Sequence, residues 1–299
     1  MTQNRVGVVI PARNEGDEAR NTLISLRDNS GSLGKVILVD DGSTDGCCDF
    51  ARNLPWCQVI RTTGIGVGPA RNLGAEEVVD MDYVVFADAH IEVRPGWLEE
   101  GLMVMEGYPN AAVVCPAIHT RGQEDLVGMG AILSRWIPPL EWQWKHSDEP
   151  MKVGMTPGMC QIWRSAALLS TGGFTTCMAP YGAEDMEIGL RAWLLGWDII
   201  TAPNSHVVHL FKDAVPNDRA ISTLTNELRL SVIHLSPPRL FKIFEAIKGW
   251  PPDMLEAVWR QAHSPETLAM RDACLVARVR TDDDWFAQFD PLNELAEVP

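Results

Sequence analysis

The sequence predicts an α/β fold with a central mixed sheet, flanking helices and a C-terminal helical appendage. Two observations support this prediction. Short apolar segments alternate with helical patterns through the first two thirds of the chain, and helical patterns alone follow from residue 218. Strands that alternate with helices favour mostly parallel pairing with right-handed crossovers. We therefore expect residues 1–215 to form one domain and residues 216–299 a helical extension.

The elements follow from apolar runs, helical periodicity and breaker residues. The predicted strands are 6–10, 35–39, 58–61, 83–87, 111–118, 198–201 and 206–211. The predicted helices are 17–27, 67–79, 97–105, 164–170, 183–195, 218–235, 238–248, 252–262 and 264–279. Residues 119–157 have no clear period and are predicted to form either an irregular excursion or an antiparallel insertion.

Composition narrows the function classes. Of 299 residues, 46% are hydrophobic and 22% charged, which is typical of a globular protein. The net charge of −15 argues against nucleic acid or an anionic membrane surface as the main partner. No apolar run approaches the ~18 residues of a membrane span, and the polar start shows no signal peptide. We therefore expect a cytoplasmic protein without a transmembrane segment.

The pattern Asp88-Ala89-His90 is the most informative feature of the chain. It directly follows the apolar strand 83–87, and Glu92 lies two residues beyond it. Open α/β sheets bind ligands at the carboxyl ends of their strands. A divalent cation held there would neutralise a diphosphate leaving group, which predicts phosphate-linked group transfer. The alternative is a strand end with solvated polar residues.

Other polar residues are expected at the same sheet edge. The pair Asp40-Asp41 ends the second strand, where a carboxylate can accept hydrogen bonds from a base or a ribose. Asp40 could instead cap the next helix, but two adjacent aspartates favour nucleotide binding. Arg71, in a helix that follows a glycine-rich loop, could pair with a diphosphate or a nearby aspartate. A lone arginine of this kind also commonly forms a surface ion pair.

Two later motifs complete the candidate site. Glu184-Asp185 begins a predicted helix, where acids gain from the helix dipole; the functional interpretation is that Asp185 is a general base for an acceptor hydroxyl or thiol. His209 lies in an apolar strand pattern and is either a core histidine or the third ligand that Asp88 and His90 require. Imidazole with carboxylate suits Mn²⁺ or a similar ion better than Ca²⁺.

Six motifs in this order resemble a glycosyltransferase of the GT-A fold, family 2, over residues 6 to 212. They are P-A-R-N-E, V-D-D-G-S-T-D, G-x-x-x-A-R-N-x-G, F-A-D-A-H-I-E-V, G-A-E-D and S-H-V-V-H-L-F. The later pieces are also similar to polypeptide N-acetylgalactosaminyltransferases, which share D-x-H, W-L-E, V-V-C-P and the last histidine segment. Residues 213–299 contain no motif that we can match.

The resemblance implies roles for individual residues. It implies metal ligation by Asp88, His90 and His209. It implies contacts to the nucleotide from five residues, namely Pro11, Arg13, Glu15, Asp40 and Arg71. We add Asp41, which is paired with Asp40, and Asp88, which belongs to the candidate metal site. Glu184-Asp185 departs from the G-E-N of the retaining N-acetylgalactosaminyltransferases and matches inverting family 2 enzymes, so inversion with Asp185 as base is expected. Glu184 and three tryptophans are candidates for shaping the sugar and acceptor pocket, namely Trp136, Trp142 and Trp163. The alternative for the tryptophans is core packing, where large aromatic side chains usually lie.

The sequence therefore predicts a metal-dependent, inverting glycosyltransferase that uses Mn²⁺ or Mg²⁺ and a nucleoside-diphosphate sugar. The predicted donor is a UDP-linked sugar. The acceptor stays open between a peptide, a natural product and a glycan. A homodimer through the C-terminal helices is a further hypothesis. Two alternatives are a nucleotidyltransferase acting on sugar phosphates, although residues 12–15 lack its glycine-rich, lysine-bearing loop, and a nucleotide-sugar-binding module without catalysis.

Overall fold

The structure is a computed structural model that describes residues 5–31, 33–133, 140–142, 147–178, 180–212 and 217–289. Its strands are β1 (Val6–Ala12), β2 (Lys35–Asp40), β3 (Cys57–Arg61), β4 (Tyr83–Ala87), β5 (Ile91–Val93), β6 (Ala111–Thr120), β7 (Gln123–Gly128), β8 (Ala131–Leu133), β9 (Leu140–Trp142), β10 (Cys160–Arg164) and β11 (Asp198–His209). Its α-helices are α1 (Glu18–Asn29), α2 (Val67–Glu76), α3 (Trp97–Gly107), α4 (Ser165–Thr171), α5 (Glu184–Leu194), α6 (Asn217–His234), α7 (Pro237–Ile247), α8 (Pro252–Ala262), α9 (Pro265–Ala277) and α10 (Asp282–Phe289).

Nine strands form one sheet in the order β3-β2-β1-β4-β10-β6-β11-β5, with β7 added beside β6. Four pairings are parallel and four are antiparallel. The predicted central mixed sheet is confirmed, but the expectation of mostly parallel pairing is wrong outside the first four strands. β10 lies antiparallel between β4 and β6, and the described residues between β6 and β10 include no crossover helix of the kind that joins parallel strands.

The region of residues 119–157 is an antiparallel insertion wherever it is described. β7 pairs antiparallel with β6, and β8 pairs antiparallel with β9. The two predicted strands at 198–201 and 206–211 are instead one strand, β11, which ends at His209. Its register against β6 shifts between Ala202 and His206, so the proline at position 203 interrupts the ladder without ending the strand.

The sheet is buried on both faces, which explains why its central strands are continuous apolar runs. On one face, Leu23 and Leu26 of α1 and Trp97 of α3 are fully or almost fully buried. On the other face, α2, α4 and α5 pack against side chains such as Phe86. Trp163 belongs to this second cluster, and its Nε1 donates to Gln161 Oε1 at 2.8 Å.

Of the three candidate tryptophans, Trp163 has a described side chain. Trp163 lies in the core of the sheet, so its predicted place in the sugar and acceptor pocket is wrong. The reason is that β10 is an interior strand with both faces covered. Trp136 and the side chain of Trp142 lie outside the described residues.

The C-terminal helices share the second cluster with the sheet. Leu230 and Ile233 of α6 and Trp285 of α10 are buried in it. A smaller cluster lies between α6, α7 and α8 and includes Leu228, Ile247 and Val258. None of the described helices combines the length and the apolar character needed to cross a bilayer. The boundary at residue 215 and a homodimer through these helices stay predictions.

Candidate metal centre and adjoining cavity

A cavity of about 440 Å³ opens at the carboxyl ends of β1 and β4, within the usual range for small-molecule sites. Seven of the predicted site residues line it, namely Pro11, Arg13, Glu15, Asp41, Asp88, His90 and His209. Four others are not among its lining residues, namely Asp40, Arg71, Glu184 and Asp185. The structure thus brings the first group together around one cavity. Asp40 ends β2 at the same edge of the sheet without lining the cavity, and Arg71 is hydrogen-bonded to Asp88 and Glu184.

Asp88, His90 and His209 come together at one wall of this cavity. One candidate ligand atom from each side chain lies within 4.8 Å of the others. Antiparallel pairing of β11 with β5 places His209 opposite Ile91, directly beside the Asp88-Ala89-His90 turn. His209 Nε2 lies 3.4 Å from Asp88 Oδ2, and His90 Nε2 lies 4.0 Å from the same oxygen. The third partner expected for the D-x-H pattern is therefore in place.

The surroundings of the three side chains suit a cation. Both ring nitrogens of His209 are buried; Nε2 has only the 3.4 Å approach to Asp88 Oδ2, and Nδ1 has no hydrogen-bond partner among the described residues. Such polar atoms call for an additional partner, because native proteins satisfy nearly all buried polar groups. A divalent cation between one carboxylate and two imidazoles would supply it. The residues therefore fit Mn²⁺ or Mg²⁺, of which imidazole favours Mn²⁺.

The charge states also suit metal binding. Burial opposes ionisation of Asp88, but His209, Arg71 and His90 together hold the pKa of its carboxyl well below the usual value. Burial lowers the pKa of His209, which favours the neutral imidazole. An ionised carboxylate and a neutral imidazole are the forms that donate electron pairs to a metal.

Glu15 orients one of the candidate ligands. Its Oε2 lies 2.9 Å from His90 Nδ1 and also accepts from Lys212 Nζ at 2.9 Å. A carboxylate on the far nitrogen of a metal-binding imidazole fixes its ring orientation and raises its basicity. Glu15 lies 75 residues from His90 in sequence, and no local pattern could have predicted the pair.

Arg71 joins the metal-ligand cluster to the second acidic cluster. Its Nη2 donates to Asp88 Oδ1 at 3.1 Å and to the carbonyl of Gly158 at 3.0 Å, and its Nη1 donates to Glu184 Oε1 at 2.9 Å. The side chain is only 3% exposed. Of the interpretations open at the sequence level, pairing with a nearby aspartate is the one observed.

Glu184 and Asp185 form the first turn of α5, directly after Ala183 in a left-handed conformation with φ of 62°. Burial and the charge of Asp185 raise the pKa of Glu184 to about 7. Burial also raises the pKa of Asp185. Asp185 packs against Gly158, where a Cβ atom would stand 2.6 Å from Asp185 Oδ2. Glu184 is thus poised to exchange a proton near neutral pH, and the raised pKa of Asp185 makes it a better proton acceptor than an ordinary aspartate.

Asp40 and Asp41 have different partners. Asp40 Oδ1 accepts from the backbone N–H of Ser43, and its Oδ2 pairs with Arg61 at 2.9 Å. Asp40 therefore closes the turn after β2 and does not cap the next helix, which begins at Asp49 with Cys48 at its N-cap. Asp41 accepts from the hydroxyl of Thr62 and, at 2.7 and 2.9 Å, from two backbone N–H groups of the glycine-rich loop at residues 65 and 66. It thereby shapes the cavity wall.

Eleven of the lining residues were not selected from the sequence, among them Tyr181, Phe211, Lys212 and Ser222. Phe211 and Lys212 come two and three residues after His209, and their proximity to a candidate ligand was an available signal. Tyr181 and Ser222 come from the loop before α5 and from α6. Ser222 has no sequence signal, because only tertiary packing brings α6 to the cavity.

Comparison with known proteins identifies the family of this chain. The model of glycosyl transferase family 2 matches residues 7–166, more than half of the chain. The chain therefore belongs to this family. It is 32% identical to polypeptide N-acetylgalactosaminyltransferase 8 of Drosophila melanogaster over 232 residues, which cover 70% of this chain and 38% of the relative. It is 28% identical to the human polypeptide N-acetylgalactosaminyltransferase 15 over 285 residues, covering 82% of this chain and 43% of the relative.

A second type of relative is an N-acetylglucosaminyl-diphospho-decaprenol L-rhamnosyltransferase of Mycobacterium tuberculosis, 27% identical over 58% of this chain and 66% of its own length. The chain spans about two fifths of the length of the two N-acetylgalactosaminyltransferases. Solved structures show the same fold. GalNAc-T7 with UDP, GalNAc and Mn²⁺ aligns with a TM-score of 0.74 at 16% identity, covering 99% of this chain and 58% of the other.

The mannosyltransferase PcManGT from Pyrobaculum calidifontis, in complex with GDP-Man and Mn²⁺, aligns with a TM-score of 0.54 at 17% identity. That alignment covers 93% of this chain and 75% of the other. The prediction of a GT-A fold is confirmed by these two likenesses together with the mixed sheet.

Proposed function

We propose that this chain is a metal-dependent, inverting glycosyltransferase that moves a sugar from a nucleoside-diphosphate sugar to a nucleophilic acceptor. One observation carries the proposal. The carboxylate of Asp88 and the imidazoles of His90 and His209 converge at the wall of a cavity of about 440 Å³, and the buried Nδ1 of His209 has no hydrogen-bond partner among the described residues.

The donor would lie along this cavity with its diphosphate at the three candidate ligands. A bound Mn²⁺ or Mg²⁺ supplies Lewis-acid neutralisation of the diphosphate as it leaves. Pro11, Arg13 and Asp41 line the part of the cavity formed by β1 and β2, where a nucleoside would bind. Glu15 would hold His90 in its ligating orientation, and Arg71 would hold Asp88 through its 3.1 Å contact.

Asp185 would act as the general base. The acceptor oxygen forms a bond to the anomeric carbon, the bond from that carbon to the diphosphate oxygen breaks, and the acceptor proton passes to the carboxylate of Asp185. A raised pKa suits this task, because a base with a pKa near the working pH accepts a proton most effectively. Glu184, which Arg71 holds at 2.9 Å, would keep the start of α5 in place and shape the acceptor side. Attack from the side opposite the leaving group inverts the anomeric configuration.

The relatives support a choice of donor. Two of them are named as polypeptide N-acetylgalactosaminyltransferases, and the structural neighbour GalNAc-T7 contains UDP, GalNAc and Mn²⁺. We therefore propose a UDP-linked sugar as donor, with a GDP-linked sugar as the second candidate because PcManGT contains GDP-Man. A peptide, a natural product and a glycan are the acceptor classes to be tested.

A thermal-shift screen tests the proposal. The melting temperature is measured with UDP, UDP-N-acetylgalactosamine, UDP-N-acetylglucosamine and GDP-mannose, each with and without Mn²⁺. We expect a rise that requires both the metal and a nucleotide, because ligands that bind only the folded state stabilise it. Slow release of free UDP in water would support glycosyl transfer. Pyrophosphate release from a nucleoside triphosphate and a sugar phosphate would indicate a nucleotidyltransferase, and binding without turnover a binding module.

A further inference from the structure

Asn226 of α6 contacts the backbone that leads into the Glu184-Asp185 turn. Its side-chain amide donates to the carbonyl of Gly182 at 2.8 Å and to the carbonyl of Tyr181 at 3.3 Å. The residue is 0% exposed. Ser222, one turn earlier, donates to the same Tyr181 carbonyl at 2.8 Å. A helix from the C-terminal region therefore holds the two peptide units that precede the acidic turn.

The segment that Asn226 holds has an unusual backbone. Gly182 and Ala183 have φ angles of 96° and 62°. A left-handed conformation costs a residue other than glycine about 1–3 kcal/mol and persists where the surroundings impose it. A Cβ atom at position 182 would stand 2.4 Å from Thr223 Oγ1, so α6 is packed directly against this turn. The turn aims the next two residues, Glu184 and Asp185.

Asn226 is itself held in one orientation. Nη1 of Arg229 donates to Asn226 Oδ1 at 3.1 Å, which directs the amide nitrogen toward the two carbonyls. Further along, His234 Nε2 lies 2.8 Å from Oε1 of Glu187 on α5. Thus α6 contacts the entry turn of α5 through residues 222–226 and α5 itself through His234, about two helical turns further along. Asn226 is the contact nearer to the acidic turn.

We propose that Asn226 is a positioning residue that sets the place of Asp185, and with it the rate of sugar transfer. The catalytic part of this inference rests on the proposed function. The candidate metal ligands lie in the β4–β5 turn and at the end of β11, whereas the hydrogen bonds of Asn226 given above go to the entry turn of α5 and to Arg229. Loss of its hydrogen bonds should therefore lower turnover and leave the binding of metal and donor unchanged.

The substitution Asn226→Asp tests the inference with little change in shape. A carboxylate cannot donate to the two carbonyls, yet it can still pair with Arg229, which favours retention of the fold. With Mn²⁺ and UDP-N-acetylgalactosamine, and water as acceptor, we expect kcat for UDP release to fall about 10- to 100-fold with KM unchanged. Amide hydrogen exchange of residues 181–187 should become faster in the same variant, whatever its activity.

Asn110→Asp is the matched control. Asn110 donates to the carbonyl of Gly196 at 3.0 Å, in the loop that follows α5, and lies outside the cavity lining. We expect this variant to lose some thermal stability and to keep the kcat of the wild type. If Asn226→Asp does not fold, Arg229→Ala replaces it, because loss of the bond to Asn226 Oδ1 should give a smaller fall in kcat of the same kind.

The outcomes separate this inference from the proposed function. A lower kcat at constant KM, with faster exchange at 181–187, supports Asn226 as a positioning residue. A folded Asn226→Asp with the kcat of the wild type overturns it. If the wild type releases no UDP and its melting temperature does not respond to any donor, the proposed function fails. The exchange experiment then still decides, because unchanged exchange at 181–187 excludes positioning by Asn226.

Discussion

Two acidic clusters lie on either side of Arg71 and differ in the pKa of their carboxyls. Asp88 has two imidazoles and a guanidinium as neighbours, which together lower its pKa in spite of burial. Glu184 and Asp185 have mainly Arg71 to offset the cost of burial, and their pKa values are raised. The same functional group is therefore held ionised in one cluster and is protonated more readily in the other.

Arg71 makes this difference possible. It contacts Asp88 at 3.1 Å and Glu184 at 2.9 Å, so one buried cation serves both clusters. Asp88 receives additional positive or polarisable neighbours from His90 and His209, and Glu184 does not. The proposed division between a metal-binding side and a proton-transferring side can be tested by changing each carboxylate separately.

The largest effect is expected from Asp88→Asn. A neutral amide is a poor ligand for a divalent cation, and loss of Lewis-acid stabilisation worth several kcal/mol should lower UDP release about 1000-fold. Calorimetric titration with Mn²⁺ should show no binding. Asp125→Asn, a change of an exposed aspartate on β7, should leave both measurements unaltered. Normal Mn²⁺ affinity in Asp88→Asn would remove the metal from this cluster.

Asp185→Asn should have the next largest effect, with a different signature. Transfer should fall at least ~100-fold, the usual scale for loss of a general base. Binding of Mn²⁺ and UDP should be retained, because Asp185 is not among the lining residues of the cavity. If Asp88→Asn and Asp185→Asn change Mn²⁺ binding and UDP release in the same way, the proposed difference between the two acidic clusters is wrong. Turnover near that of the wild type in Asp185→Asn would assign the proton to another group.

Glu15→Gln should have a smaller effect, confined to the metal side. The amide no longer supplies the negative charge that orients and polarises His90 through the 2.9 Å contact. We expect the Mn²⁺ concentration for half-maximal activity to rise about 10-fold, with kcat at saturating metal little changed. A fall in kcat that excess Mn²⁺ does not restore would instead place Glu15 in contact with the donor.

The smallest effect is expected in the pH dependence of the unfolding free energy, through Glu184 in the second acidic cluster. Glu184 has a pKa of about 7 in the folded protein and an ordinary value of 4.5. Between these values the folded state binds a proton that the unfolded state has released. The free energy of unfolding should therefore fall as pH rises from about 4.5 to about 7, by up to about 1.4 kcal/mol per pH unit.

Urea unfolding of Glu184→Gln measures this contribution. The variant has no titrating carboxyl at position 184, so its unfolding free energy should decline less steeply over the same pH window. Loss of the ion pair with Arg71 lowers the unfolding free energy by a similar amount at every pH. The slope of the unfolding free energy against pH therefore measures the titration of Glu184. Parallel curves for the wild type and the variant would show that Glu184 is ionised throughout.

Much of the fold could be predicted because it depends on local patterns. β1, β2 and β4 are apolar runs that end in polar residues, and their bounds agree with the prediction within two residues. The direction of β10 could not be predicted, since a short apolar segment has the same pattern in parallel and antiparallel pairing. α10 was missed because eight residues are too few to establish a helical period, and Trp285 is buried only through tertiary contacts, among them its bond to the carbonyl of Gly154.

The sequence by itself determined which side chains are available for chemistry and which strand ends present them: the carboxylate of Asp88, the imidazoles of His90 and His209, and the acidic turn at Glu184. Only the tertiary structure decided how these groups are paired and charged. Glu15 meets His90 across 75 residues, and Asn226 meets Gly182 across 44. A pKa depends on burial and on neighbouring charges, and both are set by contacts between elements that are distant in the chain.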